Sequence, residues 1–535
     1  PLLQLQRQPP SGVLRPVDAV RIELARPLAE AGKHSETAAL QVAGLGQLLG
    51  QQVLAGDLHR HVPDRVELEI ADAVAEDRRA PVGPADDDAH AERDLAQVHD
   101  LEYNKVSRAL PEQRIHLAED RVFYHRSRVY SASENHLLSL AFQREVINHI
   151  LPQVRPHLIH CNDWMTGLIP AVAKRFGMKS LFTLHNIHTE RTTMAAIEDR
   201  GIDAADFWEH LYFERPPFNY EESREHNIVD LLTSGIFAAD HVNTVSPKFL
   251  SEVVDGLHSH IPGHIQHELW AKCDAGCATG ILNAPDPSFN PVRDTYIEDH
   301  FSVDTVMAGK RANKMRLQHE LDLRHAPDSP LLFWPSRLDP VQKGCQLVTD
   351  ILHEFIQAYD HDLLQVAVIA SGAHQRYFHE IVEMNGLHDR VAVRDFDERL
   401  SHLGYAAADF VLMPSSFEPC GLPQMIAPKY GALTIAHNTG GLHDTVEPLD
   451  LDRNRGNGFR FDVFDASGLR WAIDRAMDFF RRPVHEKEEQ IQRVMRESTS
   501  RFNHNATAAE YIRTYEKILG HGVCGGLPGE ADEEE

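Results

Sequence analysis

The sequence predicts an α/β protein built from two Rossmann-like, doubly wound domains facing a cleft. Three observations predict it. Short apolar or β-branched runs alternate with helical stretches, as in a sheet covered by helices. The later half repeats this as five βα units, with strands in LLFWPSR, LLQVAVIA, RVAVRDF, DFVLMP and ALTIAHN. A Pro-, Asp- and Asn-rich stretch, GILNAPDPSFNP, separates those units from an earlier set and reads as an interdomain connection near residues 284–295. The 535 residues are enough for two large domains.

Composition narrows the function. No apolar run approaches the roughly 18 residues of a membrane span, so no membrane partner is expected. A net charge of −27 argues against nucleic acid and anionic lipid, which both need a basic face. The six cysteines are scattered and no signal-peptide pattern opens the sequence, so a reducing, cytoplasmic protein is expected. Cys273 and Cys277 lack a second pair at zinc-site spacing, and the 34 histidines form no HExxH pattern; neither a metal nor a cofactor is expected.

Taken in order, residues 1–110 form an atypical segment. Every Phe, Trp and Tyr lies beyond residue 100, and Lys33 is the one lysine before it. Two readings stand: a poorly packed or disordered extension, or a translation of the wrong frame or strand of GC-rich DNA. The glycines of GLGQLLG have the wrong spacing for a phosphate loop. Residues 111–290 read as the first domain. LLSLAFQREVINHIL is a helix, HLIHC a strand, TGLIPAVAKRFG a helix closing at Gly177, SLFTLH a strand and HVNTVS another. Ser246-Pro247 then starts the helix KFLSEVVDGL, with proline at its first position. Residues 291–519 form the second domain, with the last helices (466–518) packing across or beside it. Residues 520–535 are an acidic tail expected to be disordered.

Ligands of such sheets bind where strands end, so the loops after the strands carry the chemistry. After LLFWPSR come Arg337 and Lys343, the latter followed by Gly344 at a helix start. Two cations beside a helix N-terminus suit a diphosphate and stabilise charge growing on a leaving group; a solvated Arg and Lys on a loop is the plain alternative. After DFVLMP, Glu418 precedes a tight turn and a helix start at Gly421. Its carboxylate suits sugar hydroxyls, and the amides of Cys420, Gly421 and Leu422 suit a sugar or phosphate; Glu418 as a simple helix cap is the alternative. After ALTIAHN, Thr439, Gly440 and Gly441 let backbone approach a phosphate closely.

The ordered set HCNDWMTGLIPA, LFTLHNIHTER, VNTVSPKFLSEV, GILNAPDPSFNP, SRLDPVQKG, DFVLMPSSFEPCGLPQM and HNTGGLHDTV resembles the bacterial glycogen synthase and plant starch synthase family, from about Arg114 to Leu519. The resemblance implies a GT-B fold. It also implies transfer of glucose from ADP-glucose to the non-reducing end of an α-1,4-glucan such as glycogen or starch, with retention of configuration and no metal. By motif, Arg337 and Lys343 would hold the donor diphosphate and Glu418 the transferred glucose. His185 would hydrogen-bond the sugar near its reacting carbon. Asp163 would lie in the acceptor-side cleft, Asn186 among the substrate-binding residues and Asn283 along the donor site. Trp164 reads as core rather than a sugar platform.

Departures from the family pattern set two rival expectations. The family's first strand and KxGGL loop are not found in residues 1–110, one residue more than usual separates Arg337 from Lys343, and Pro423 stands where the family often has a polar residue. The rivals are an inactive glucan-binding remnant lacking the KxGGL loop, and a related GT-B transferase using a UDP-sugar.

Overall fold

In the computed structural model the described residues are 4–5, 20–24, 97–101, 114–123 and 135–522. Most of the atypical N-terminal segment and of the acidic tail lies outside them, as does the expectation of a missing first strand and loop. Two compact units result. The first comprises residues 1–242, 270–277 and 514–535, and the second residues 243–269 and 278–513. The two units divide between Val242 and Asn243, inside a strand.

In the first unit, β1 (Gln4–Leu5) lies antiparallel on β5 (Leu158–Asn162), pairing Gln4 with His160 and Leu5 with Ile159. Strands β2 (Val20–Leu24), β3 (Gln97–Leu101) and β4 (Arg114–Glu119) form a separate sheet in the order β2-β4-β3. The helix read in LLSLAFQREVINHIL runs from Asn135 through a π turn at Val146–Ile150 to Val154, and Arg155 closes it at φ 47°. Next come β5 (Leu158–Asn162) and β6 (Lys179–Leu184), which are parallel, with Ile159 opposite Ser180. Both strands are buried almost throughout, which is why they read as unbroken apolar runs. An antiparallel pair of β7 (Arg191–Thr193) and β8 (Ile228–Asp230), joined through short helices, follows. Then β9 (His241–Thr244) carries the chain into the second unit, to which the short β10 (Ala278–Gly280) belongs.

The helix Pro247–Val254 starts as its sequence indicates. Ser246 accepts a hydrogen bond from Phe249 N (2.9 Å), and Pro247 takes the position where an N–H has no partner.

The second unit is a six-stranded parallel sheet of β11 (Leu331–Trp334), β12 (Gln365–Ile369), β13 (Val391–Arg394), β14 (Phe410–Met413), β15 (Leu433–His437) and β16 (Gly458–Phe461). The order is β13-β12-β11-β14-β15-β16. The chain therefore winds outward one way from β11, returns, and winds the other way from β14. Alternate residues serve opposite faces. Leu332, Trp334, Val366, Val368, Phe410 and Leu412 pack under the helices Cys345–Ala358 and Ala466–Phe480. Phe333, Ala367, Ile369, Val411 and Met413 pack with side chains of Val306–Glu320 and Glu398–Ala407.

The connection after GILN is pinned rather than loose. Phe289 stacks on the His402 ring (4.2 Å between centroids, 9° between planes). Asp294 Oδ2 bonds His402 Nδ1 at 2.7 Å and also accepts from the Tyr430 hydroxyl. The final helix, His504–Leu519, changes unit near its end, where the Tyr515 hydroxyl meets His160 Nδ1 at 2.8 Å. Among the described residues no helix is long and apolar enough to cross a membrane.

Candidate functional site

The switch in winding direction falls between β11 and β14, so the loops leaving these neighbouring strands are brought side by side. The first loop is a closed turn. Asp339 Oδ1 accepts from Val341 N and Gln342 N (both 2.9 Å), and Asp339 O accepts from Lys343 N (3.0 Å). Gly344 then adopts φ 68° as the N-cap of Cys345–Ala358, and a Cβ there would lie 1.9 Å from Pro414 O. No side chain fits where the two loops touch.

This contact brings Lys343 to Glu418. Lys343 Nζ lies 2.7 Å from Glu418 Oε2, and Ser415 Oγ donates to the same oxygen at 3.0 Å. Glu418 is 4% exposed, so its carboxylate is held by these donors rather than by water. His437 Nδ1 donates to Ser415 O (2.8 Å), fixing the Ser415 end of the loop. Arg337 does not join this cluster: its side chain is exposed and, among the described residues, makes no hydrogen bond or ion pair.

The turn after Glu418 differs from the expected helix start at Gly421. Gly421 sits at φ 76°, Leu422 is the N-cap, and the helix is Pro423–Ile426 with Pro423 in its first turn. The unusual proline thus falls where its missing N–H costs nothing. Among the described residues no acceptor takes the amides of Cys420, Gly421 or Leu422. Gln424 Nε2 ties the turn together through Cys420 O (2.8 Å) and Thr445 Oγ1 (3.1 Å). Burial pushes the Cys420 thiol up to about 12, against a hydrogen bond from the Asn283 backbone, so it stays an uncharged thiol.

The Thr439–Gly441 turn was read as backbone open to a phosphate, yet its amides are engaged inside the protein. Thr439 N donates to His437 O (3.0 Å), Gly440 N to Glu252 Oε2 (3.0 Å) and Gly441 N to Glu418 O (2.8 Å). The glycines serve a close approach of another kind: a Cβ on Gly440 would meet Glu418 O, and one on Gly441 would meet Cys420 O, each at 2.0 Å.

In the first unit, Asp163 follows β5 at φ 55°, ψ 177°, a region that is essentially glycine's and costs other residues about 1–3 kcal/mol. What holds it there is its own hydrogen bonding. Asp163 N donates to Thr183 O (2.9 Å), and Asp163 Oδ1 accepts from His185 N (2.8 Å), with Asn186 N also on the carboxyl. These bonds link the ends of β5 and β6 and bring Asp163, His185 and Asn186 together. Asn186 Oδ1 accepts from His188 N (2.8 Å). His185 Nε2 lies 3.0 Å from Asn162 Oδ1, and burial lowers its pKa to about 4, leaving a neutral ring near pH 7. Trp164 is core, 2% exposed.

Burial raises the Asp163 pKa to about 7, against the two amides, which lower it. At Asp163 the folded protein therefore keeps a proton between about pH 4 and 7 that the unfolded chain has lost, and this group's contribution to stability falls as pH rises through that window, against the rising contribution of His185. Asp163→Asn is expected to lack this fall when urea unfolding is followed against pH. Parallel profiles for the two proteins would contradict the assignment.

Sequence reasoning missed Ser415, Gln424, Glu252 and Asp444. Ser415 and Gln424 flank FEPCGL and were within reach of the rule that strand ends carry function. Glu252 lies in VNTVSPKFLSEV, a motif of the resemblance whose acid was given no role.

Comparison with known proteins identifies the family. The family described as "Starch synthase catalytic domain" matches residues 75–265, beginning ahead of residue 111, and "Glycosyl transferases group 1" matches residues 329–478. The glycogen synthase of Bacillus subtilis (strain 168) is 31% identical over 418 residues, covering 76% of this chain and 81% of its own. That of Bacillus licheniformis is 31% identical over 443 residues, covering 80% and 84%. The catalytic domain of starch synthase IV from Arabidopsis thaliana, solved bound to ADP and acarbose, superposes with a TM-score of 0.65 at 27% identity, covering 77% of this chain and 84% of that one. With such identity over four fifths of its relatives' length, and with this fold, the chain belongs to the glycogen and starch synthase family of GT-B glucosyltransferases.

Proposed function

We propose that the chain transfers glucose from ADP-glucose to the non-reducing end of an α-1,4-glucan, with retention of configuration. The Lys343–Glu418 pair at the switch point carries this reading: it sets a cation for phosphate and a carboxylate for sugar hydroxyls side by side. The ADP and acarbose bound to the Arabidopsis relative support the same pairing of nucleotide and glucan.

In this reading residues 291–519 supply the donor side and residues 111–290 the acceptor side. Lys343, Arg337 and the amides of Cys420, Gly421 and Leu422 hold the diphosphate. Glu418 and Asn283 hold the donor sugar, with Thr439, Gly440 and Gly441 behind them. His185 stays neutral and hydrogen-bonds the sugar near its reacting carbon, beside Asp163 and Asn186. Displacement is on the front face: the bond from C1 to the phosphate oxygen breaks and the bond from C1 to the acceptor oxygen forms. The acceptor's proton passes to the leaving phosphate. No glycosidase-type carboxylate pair takes part. A cytoplasmic setting fits the five described cysteines, all free thiols.

The test is ADP release from purified full-length protein given ADP-glucose and glycogen, beside Glu418→Ala and beside UDP-glucose. Release that needs glycogen, prefers ADP-glucose and vanishes in the variant is expected. Preference for UDP-glucose would overturn the donor, and glycogen retention without release would identify a glucan-binding remnant.

A further inference from the structure

Glu252 is 4% exposed on the helix Pro247–Val254, inside the VNTVSPKFLSEV motif, to whose acid the sequence reading gives no role. Burying a carboxylate is costly unless donors replace its water. Here three do: Glu252 Oε2 takes hydrogen bonds from Thr439 Oγ1 (3.0 Å) and Gly440 N (3.0 Å) and lies 3.1 Å from His258 Nε2. Burial would raise its pKa, yet the bonds to His258, Gly440 and Thr439 outweigh it and the value is lowered. The arrangement is reciprocal. Asp444, on the helix Gly440–Thr445, accepts from Ser246 Oγ (2.5 Å) and Lys248 N (3.1 Å) at the start of the helix that carries Glu252. Each helix thus lends an acid to the first turn of the other, where backbone N–H groups lack partners.

The latch matters because of what lies next to it. Gly441 N donates to Glu418 O at 2.8 Å, and the Gly440 backbone touches that same carbonyl too closely for any Cβ. A carboxylate in one helix therefore reaches the Glu418 main chain through a single three-residue turn. That chain of contacts fixes the height of Glu418 beside Lys343. We propose that Glu252 is a positioning residue for the transfer reaction: it pins the Thr439–Gly441 turn, which in turn holds the Glu418 carboxylate against Lys343. The inference rests on the reading of Glu418 as the sugar-binding carboxylate. Lys248 Nζ stands 4.0 Å from Glu252 Oε1, whereas the donors on Thr439 and Gly440 lie 3.0 Å from Oε2, so the link to the turn is hydrogen-bond acceptance.

The test joins kinetics to structure. In Glu252→Ala, kcat is expected to fall about 10- to 100-fold, because a misplacement near 1 Å costs up to that much. KM for ADP-glucose should stay within about threefold, since the groups that hold the diphosphate are untouched. Glu252→Gln keeps an acceptor oxygen and is expected to recover most of the lost kcat. Wild-type kcat in the Ala variant, or equal loss in Gln and Ala, would overturn the inference. Should Glu252→Ala fail to fold, Glu252→Asp, one methylene shorter, carries the same measurement. A crystal structure of the variant gives a readout that does not need turnover: the 2.7 Å contact between Lys343 and Glu418 should open. An unchanged contact overturns the inference even in an active enzyme. An opened contact in a protein whose wild type releases no ADP overturns the proposed function instead.

Discussion

Lys343→Ala is expected to lower turnover with ADP-glucose about 10²- to 10³-fold, the usual cost of losing one donor aimed at charge that develops in a transition state. Affinity for glycogen should hold within about twofold, because the role proposed for Lys343 is on the donor diphosphate. The variant has a second consequence. Glu418 is buried and bonded to Lys343, so removing the lysine leaves its carboxylate with Ser415 alone. Breaking a buried pair from one side costs about 3–5 kcal/mol, and a matching loss should appear in urea unfolding. Lys343→Ala/Glu418→Gln removes the uncompensated charge, and stability should return. Full turnover in Lys343→Ala would remove Lys343 from the mechanism.

Gly441→Ala is expected to cost about 3 kcal/mol or more and to abolish transfer. The new methyl carbon would stand 2.0 Å from Cys420 O and 2.5 Å from both Cys420 C and Cys420 Cα. All three are backbone atoms, so no rotamer change relieves the clash and the two loops must part. Parting them pulls Gly441 N from Glu418 O and so disturbs the residue paired with Lys343. Gly263→Ala is the matched control. It opens the helix Gly263–Asp274 and has nothing within 4 Å of the added carbon. Urea midpoints of the two variants should differ widely; similar midpoints would show that the loops tolerate separation.

These two positions illustrate what the sequence made legible. The parallel strands were readable nearly to the residue, because burial on both faces turns each into a short apolar run: DFVLMP contains β14 and ALTIAHN contains β15. The start at Ser246-Pro247 was readable because capping is local. Lys343 and Glu418 were found one by one from the rule that strand ends carry function, while their contact follows from the strand order. Other features had no local signal. Gly421 looked like a helix start but supplies the φ of 76° in the turn before it. Gly440 and Gly441 looked like a phosphate cradle, and their missing side chains serve contact with Glu418 and Cys420. Glu252 bonds a residue 187 positions away, beyond any periodicity argument. Asp163 adopts a glycine-like backbone that no pattern of neighbours announces.

The division of the chain between Val242 and Asn243, with 243–269 grouped beside 278–513, bears on how enzymes of this kind can be recombined. A chimera joined at residue 290 would inherit the later βα units from one parent and Ser246, Lys248 and Glu252 from the other. Its Asp444 and Gly440 would then face a foreign helix. The second unit is thus not a portable cassette at that junction, and exchange between relatives should preserve function only where the 243–269 segment travels with it.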